Sequence, residues 1–197
     1  MCSIPFSFWF RRCCFGALFC LLTTVVFSQT LGGKSAYAFL KLPATPLQTA
    51  AGGVIISYKA EEVGLTSTNP ALLSREVSHQ INASFHSLLA GTKGYSLTGA
   101  LYSNQFKTTF GGHISYLDYG TLNATDAAGT VIGEFRPVDF VVQLAASKQY
   151  LEKWTYGLAV KFVQSTYGQY QSNAVAADVG VLYFDSTNAF SASVLVK

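Results

Sequence analysis

Two stretches decide the fold class: VSHQINASFHS, residues 77–87, and QFKTTFGGHISY, residues 105–116. In each stretch, four of the six residues on one alternating face are apolar, and none on the other face is. Side chains of a β-strand alternate between two faces, so both stretches are predicted to be strands with one apolar side. The same alternation recurs further along the chain and brings the predicted number of strands to about seven, in residues 95–101, 140–146, 155–162, 175–183 and 190–196.

The polar faces of these strands carry Ser, Thr, Gly, Gln and Asn, where a water-soluble sheet carries Lys, Glu and Arg. The whole chain is 50% hydrophobic and only 12% charged, against a typical charged fraction of about 25%. Strands of about ten residues with aromatic residues near their ends are typical of membrane barrels. The fold class predicted is all-β, an antiparallel transmembrane β-barrel, and a soluble secreted β-sandwich is the alternative. The aromatic residues near strand ends are Phe85, Tyr95, Phe106, Tyr116, Phe140, Trp154, Tyr156 and Tyr183.

The start of the chain predicts export. Arg11 and Arg12 precede an uncharged run, residues 13–27, and the small residue Ser28 follows it. The run is shorter than the roughly 20 residues of a membrane helix, so residues 1–28 are predicted to be a signal peptide, with a single-pass anchor as the alternative. All four cysteines lie in this leader, so the rest of the chain has no disulfide or thiolate chemistry. They are Cys2, Cys13, Cys14 and Cys20.

Residues 29–76 lack the strand rhythm. Gly52-Gly53 and Asn69-Pro70 are turn signals, and they predict an irregular N-terminal segment that precedes the barrel wall, residues 77–197. Among the connections between strands, Asp118–Asp139 is the longest. Long loops of membrane barrels face the outside of the cell, so we expect this connection to be extracellular.

No catalytic or metal-binding constellation is evident in the sequence. The three histidines, His79, His86 and His113, lack metal-ligand spacing, and each is expected to be an ordinary polar residue. Neither a nucleophile elbow nor a phosphate loop nor a dinucleotide fingerprint occurs. Eleven Lys and Arg against ten Asp and Glu remain after the leader, so nucleic acid is an unfavourable partner. We predict that the chain is not an enzyme and has no cofactor.

One pair of charges falls on the polar faces of neighbouring strands. We expect Lys161 and Asp178 to lie directly opposite each other across the connection between their strands. We predict that they form an ion pair in the barrel lumen, since lipid would tolerate neither charge on the outer face. The alternative is that each is solvated separately.

Several motifs in order resemble the PorV/PorQ group of outer-membrane barrels, which are similar to the long-chain fatty-acid transporter FadL. Before the strands, the motifs are YAFLKLP (37–43), AAGG (50–53) and NPALL (69–73). Within the strands, they are GLAVK (157–161) and DVGVLY (178–183). The likeness covers nearly all of the chain after the leader, and the order and spacing of the motifs carry it.

The resemblance implies a FadL-like barrel of about fourteen strands in the outer membrane, with residues 29–76 folded inside as a hatch. It further implies a non-catalytic role in the type IX secretion system, beside PorV, the sortase-like PorU and the surface protein PorZ. Transport of hydrophobic small molecules is the alternative function. Because the chain ends at Lys197 inside an apparent strand, we expect that the C-terminal strands of the barrel are missing. We also expect that this chain alone does not form a stable monomeric barrel.

Overall fold

The structure is a computed structural model that describes residues 37–59 and 61–197. The predicted signal peptide, residues 1–28, and the beginning of the predicted hatch lie outside the described residues. Within the described part of the chain, no helix combines the length and hydropathy needed to span a bilayer.

Seven strands form one antiparallel sheet, which confirms the prediction of an all-β antiparallel fold. Their order in the sheet is β1-β2-β3-β6-β7-β8-β9, and β4 and β5 form a separate two-stranded hairpin. The strands are β1 Ile81–Ser87, β2 Lys93–Ser103, β3 Thr108–Asp118, β4 Leu122–Thr125, β5 Val131–Phe135, β6 Val138–Tyr150, β7 Trp154–Tyr167, β8 Tyr170–Asp185 and β9 Phe190–Val196.

The sheet is an open meander among the described residues. Strand β1 pairs only with β2, and β9 pairs only with β8, so both edges have unpaired backbone groups. Connections 88–92, 119–137 and 168–169 lie at one end, which we call the long-loop end. Connections 104–107, 151–153 and 186–189 lie at the other, which we call the short-turn end.

The first strand begins later than the alternation predicts. Val77 ends a short 3-10 helix, Arg75–Val77, and His79 has a left-handed backbone (φ 65°). The strand starts only at Ile81. The alternation of residues 77–80 therefore does not reflect strand geometry, and the prediction that His79 shares a strand with His86 is wrong.

The long connection is more ordered than a loop. Residues 122–135 form the hairpin β4–β5, with a register shift between Ala124 and Thr125. Asp126 closes its turn, because its side chain accepts hydrogen bonds from the backbone of Ala128 (2.9 Å) and Thr130 (2.8 Å). The prediction of a plain loop over Asp118–Asp139 is wrong in this respect.

The described residues of the N-terminal segment, 37–59 and 61–80, contain only short helices. One α-helix, α1 (Pro46–Ala50), begins with a capping box between Thr45 and Gln48. It is followed by Gly52 (φ 84°) and Gly53 (φ 109°), whose backbone conformations other residues rarely adopt. The remaining turns are 3-10 helices, at Ala38–Lys41, Val63–Ser67, Pro70–Leu72 and Arg75–Val77.

This segment packs against one face of the sheet, which we call the inner face. Val63, Leu73 and Val77 contact small residues of the strands, Ala100, Ala145 and Ala159. A second cluster joins Leu65, Ala71 and Leu72 to Leu182 of β8. The apolar core therefore lies between the segment and the sheet, and small side chains on the strands let the segment approach closely.

Candidate functional site

The NPALL motif is buried at the centre of the contact between the segment and the inner face. Asn69 Oδ1 accepts a hydrogen bond from Ala71 N (2.9 Å) and so caps the helix Pro70–Leu72. Its Nδ2 donates to Ile56 O (2.7 Å) and to Ser193 Oγ (2.9 Å) on β9. One fully buried amide thus joins two parts of the segment and the last strand of the sheet.

Two glycines form the seat for this motif. Gly157 on β7 and Gly180 on β8 lie directly opposite each other. A Cβ atom at Gly157 would overlap the backbone of Pro70 and Ala71, and one at Gly180 would overlap Asn69 Oδ1. These positions therefore need the absence of a side chain, because the segment occupies the space that one would fill.

Lys161 and Asp178 form a buried salt bridge on the inner face. Lys161 Nζ lies 2.6 Å from Asp178 Oδ2, and the two side chains are 7% and 3% exposed. The prediction that they face each other directly is wrong: Lys161 pairs with Ala176, and Asp178 pairs with Ala159. The difference arises because the β7–β8 turn is only Gly168-Gln169, so the ion pair runs diagonally across the two strands.

A polar row extends from this pair across the sheet. Thr98, His113, Gln143 and Lys161 occupy successive paired positions on β2, β3, β6 and β7. Thr98 Oγ1 lies 2.8 Å from His113 Nδ1. Gln143 Nε2 donates weakly to Thr66 O (3.4 Å), while Gln143 Oε1 is buried without a hydrogen-bond partner. Polar residues of this kind are concentrated on the covered face of the sheet.

A cavity of about 480 Å³ lies between the polar row and the N-terminal segment. His113, Gln143 and Lys161 line it from the sheet. Apolar side chains line it from the segment, namely Phe39, Leu42, Val54 and Ile56. The segment also contributes polar residues, Lys41, Ser67 and Thr68, so the cavity is amphipathic on both sides.

The long connection is held to the sheet at its base. Asp139 is fully buried and accepts hydrogen bonds from Tyr119 Oη (2.6 Å), Tyr167 Oη (3.3 Å) and Ser165 Oγ. Burial, together with the hydrogen bond to Asp139, raises the pKa of Tyr119 above its ordinary value. Arg136 forms a salt bridge with Asp118. The hydrogen bond from its guanidinium to the Asp118 carboxylate raises the pKa of Arg136 above its ordinary value. The base of the hairpin is thus fixed at the long-loop end.

Two of the three histidines, His86 and His113, line the cavity of about 480 Å³, and His79 does not. His113 belongs to the polar row, His86 packs over Gly94 on the inner face of β1, and His79 contacts Ser78 Oγ (3.0 Å) outside the strands. In the described part of the chain, no group of three or more His, Cys, Asp and Glu side chains could hold a metal ion.

The opposite face of the sheet, which we call the outer face, is apolar and exposed. Leu144 is 69% exposed, Val160 48% and Leu158 53%. The charged residues on this face of the seven strands lie near strand ends, at Lys93, Asp118, Lys148 and Asp185. The sheet therefore buries its polar face beneath the segment and exposes its apolar face, which reverses the arrangement of a water-soluble protein.

Neither the comparison with protein-family models nor the comparison with curated proteins finds a match to this chain. The resemblance to the PorV/PorQ group therefore stays a prediction from motif order and spacing.

Proposed function

We propose that the chain contributes wall and internal hatch to an outer-membrane β-barrel. The exposed apolar outer face is the observation that carries this proposal. From Trp154 to Phe162, every outward residue of β7 is apolar or aromatic, over about 27 Å along the strand. The nine residues of this stretch match the roughly 9–11 that a tilted strand needs to cross a bilayer.

Aromatic residues at both ends of the outer face support the same proposal. At the long-loop end, Phe85 and Tyr95 rings are 5.2 Å apart, and Tyr95 and Tyr116 rings are 6.3 Å apart. At the short-turn end, Trp154 and Tyr183 rings are 5.0 Å apart, and Tyr183 and Phe190 rings are 6.2 Å apart. Aromatic girdles on either side of an aliphatic band are typical of membrane barrels.

A soluble β-sandwich accounts for these observations less well. A sandwich packs the apolar faces of two sheets together and exposes their polar faces. Here the second sheet in the described residues is only the hairpin β4–β5, and the outward residues of the large sheet remain exposed. The barrel proposal in turn requires partner strands for β1 and β9, because lipid cannot hydrogen-bond to an open edge.

The role that we propose is non-catalytic: a PorQ-like platform of the type IX secretion system at the cell surface. The motif order supports it, and the fixed base of the hairpin β4–β5 suits an extracellular docking element. Affinity capture from outer membranes of the native host should recover PorV, PorU or PorZ, and loss of residues 122–135 should reduce that recovery. Recovery of none of the three would contradict the secretion role and leave the barrel proposal standing.

Transport of hydrophobic small molecules is the second candidate function. The amphipathic cavity of about 480 Å³ on the inner face favours it. A transporter must open a path along the hatch, whereas a platform keeps the hatch in place. Uptake of an apolar probe by cells that express the protein would therefore favour transport over the platform role.

Replacing Val160 by arginine should destabilise the protein in the membrane. The side chain is 48% exposed in the middle of the outer face, and arginine at the midplane of a bilayer costs about 2–4 kcal/mol. We expect a marked loss of Val160→Arg protein from the outer-membrane fraction of cells. Thr166→Arg is the matched control, because Thr166 lies on the same strand near its end, where the cost falls to about 0–1 kcal/mol. Equal membrane levels of both variants, with partition into the aqueous phase of a detergent extraction, would favour the soluble sandwich.

A further inference from the structure

A second cleft opens on the inner face at the short-turn end. Its volume is about 300 Å³, and it lies between residues 73–75 of the segment and strands β2, β3, β6 and β7. It does not share a lining residue with the larger cavity beside the polar row. Neither the hatch nor the docking role described above uses it.

Positive charge predominates at this cleft. Lys59, Arg75 and Lys107 line it, against the single acid Glu152. Lys59 is partly neutralised, since its Nζ lies 3.0 Å from Glu76 Oε2. Arg75 and Lys107 take part in none of the ion pairs found in residues 37–59 and 61–197. Both lie exposed at the rim, so the cleft has cations without a carboxylate partner at its entrance.

The guanidinium of Arg75 is held in place by an aromatic ring. Its Cζ lies 4.9 Å from the centroid of the Tyr102 ring. A guanidinium that stacks on a ring keeps its N–H groups free in the plane, where they match the two oxygens of a carboxylate or phosphate. The arginine is therefore oriented for recognition of an oxyanion.

The floor of the cleft contains hydroxyl groups. Thr109 and Ser147 line it, and both residues are 3% exposed. Ser147 Oγ is buried and has no hydrogen-bond partner. Buried polar atoms are nearly always satisfied in proteins, so this hydroxyl indicates a partner that enters the cleft. An anion at the cations of the rim would present acceptor oxygens toward this donor.

We propose that this cleft binds a soluble oxyanion, a phosphate or carboxylate group, through Arg75, Lys107 and Ser147. The ligand comes from the aqueous phase, because the cleft lies on the inner face and the apolar face points the other way. The proposal does not depend on the membrane proposal, since the same cleft exists whatever covers the outer face.

Calorimetric titration of the full-length protein with inorganic phosphate, in a zwitterionic detergent, tests this site. We expect saturable binding that Arg75→Gln and Lys107→Gln each weaken about tenfold, because a charge-assisted hydrogen bond is lost. Ser147→Ala should weaken binding severalfold. Lys148→Gln is the matched control, because Lys148 adjoins Ser147 on the opposite face of β6. The phosphate affinity of this variant should stay within about twofold of that of the unsubstituted protein. Circular dichroism establishes that each variant is folded.

A parallel titration with succinate shows whether the cleft binds a carboxylate as well as a phosphate. Succinate binding with the same dependence on Arg75, Lys107 and Ser147 supports the proposal with a carboxylate as the ligand. Binding of either anion that persists in both Arg75→Gln and Lys107→Gln would overturn it, as would equal loss in Lys148→Gln. The absence of saturable binding by both anions would also overturn it.

Discussion

Replacing Gly157 by valine should detach the NPALL motif from the sheet and destabilise the protein by about 3 kcal/mol. A side chain at this position overlaps the backbone of Pro70 and Ala71, which cannot move aside as a flexible side chain could. Valine is itself favourable in a strand, so the loss must come from this overlap. A lower urea midpoint and faster proteolysis of residues 37–80 in Gly157→Val would show it.

Gly112→Val is the matched control for this experiment. Gly112 also lies within a strand, on the outer face of β3, and a Cβ atom there meets nothing within 4 Å. We expect the free energy of unfolding of this variant, obtained from its urea midpoint, to stay within about 0.5 kcal/mol of that of the unsubstituted protein. If Gly112→Val and Gly157→Val behave alike, the close contact at Gly157 is not what stabilises the segment.

Replacing Asp178 by asparagine should cost about 3–5 kcal/mol, because it leaves the Lys161 ammonium buried without its counter-charge. The two side chains are almost completely covered, so few solvent contacts are present to replace the carboxylate. The measurement is the midpoint of urea unfolding in detergent, together with the amount of assembled protein. A cost below about 1 kcal/mol would mean that each charge is solvated separately.

A double variant separates the pair from its surroundings. Lys161→Met with Asp178→Leu removes both charges and keeps comparable volume. Replacement of a buried ion pair by apolar residues is often neutral or stabilising, by up to about 4 kcal/mol. The double variant should therefore recover the stability that Asp178→Asn loses. A double variant as unstable as the single one would show that the site needs its charges for another reason.

The main sheet was predictable because its strands have one apolar and one polar face, and this difference repeats with a period of two. The hairpin β4–β5 was not predictable in the same way. Strand β4 has only four residues, and both faces of the ribbon are mostly exposed, so burial imposes no alternation on it. The turn chemistry of Asp126 and Gly129, shortly before the β-branched pair Val131-Ile132, is the signal that could have found it.

The site was predicted in part. Polar faces on neighbouring strands suggested that Lys161 and Asp178 are close, but the register depends on the length of one turn, which composition does not determine. The glycine seat was missed, because a glycine on a polar face carries no hydrophobic signal. Gly157 and Gly180 stand among inward-facing small and polar residues, and only the opposing contact with residues 69–71 explains them.

The hydrogen bond from Asn69 to Ser193 has a consequence for how the protein is made. Its two ends are separated by 124 residues, so the motif emerges from the ribosome long before its last partner. Contacts between distant parts of a chain slow folding, because the intervening loop must close first. Because Ser193 lies on β9, this contact can form only after the other strands of the sheet have been synthesised, and we expect it to be among the last to form during folding.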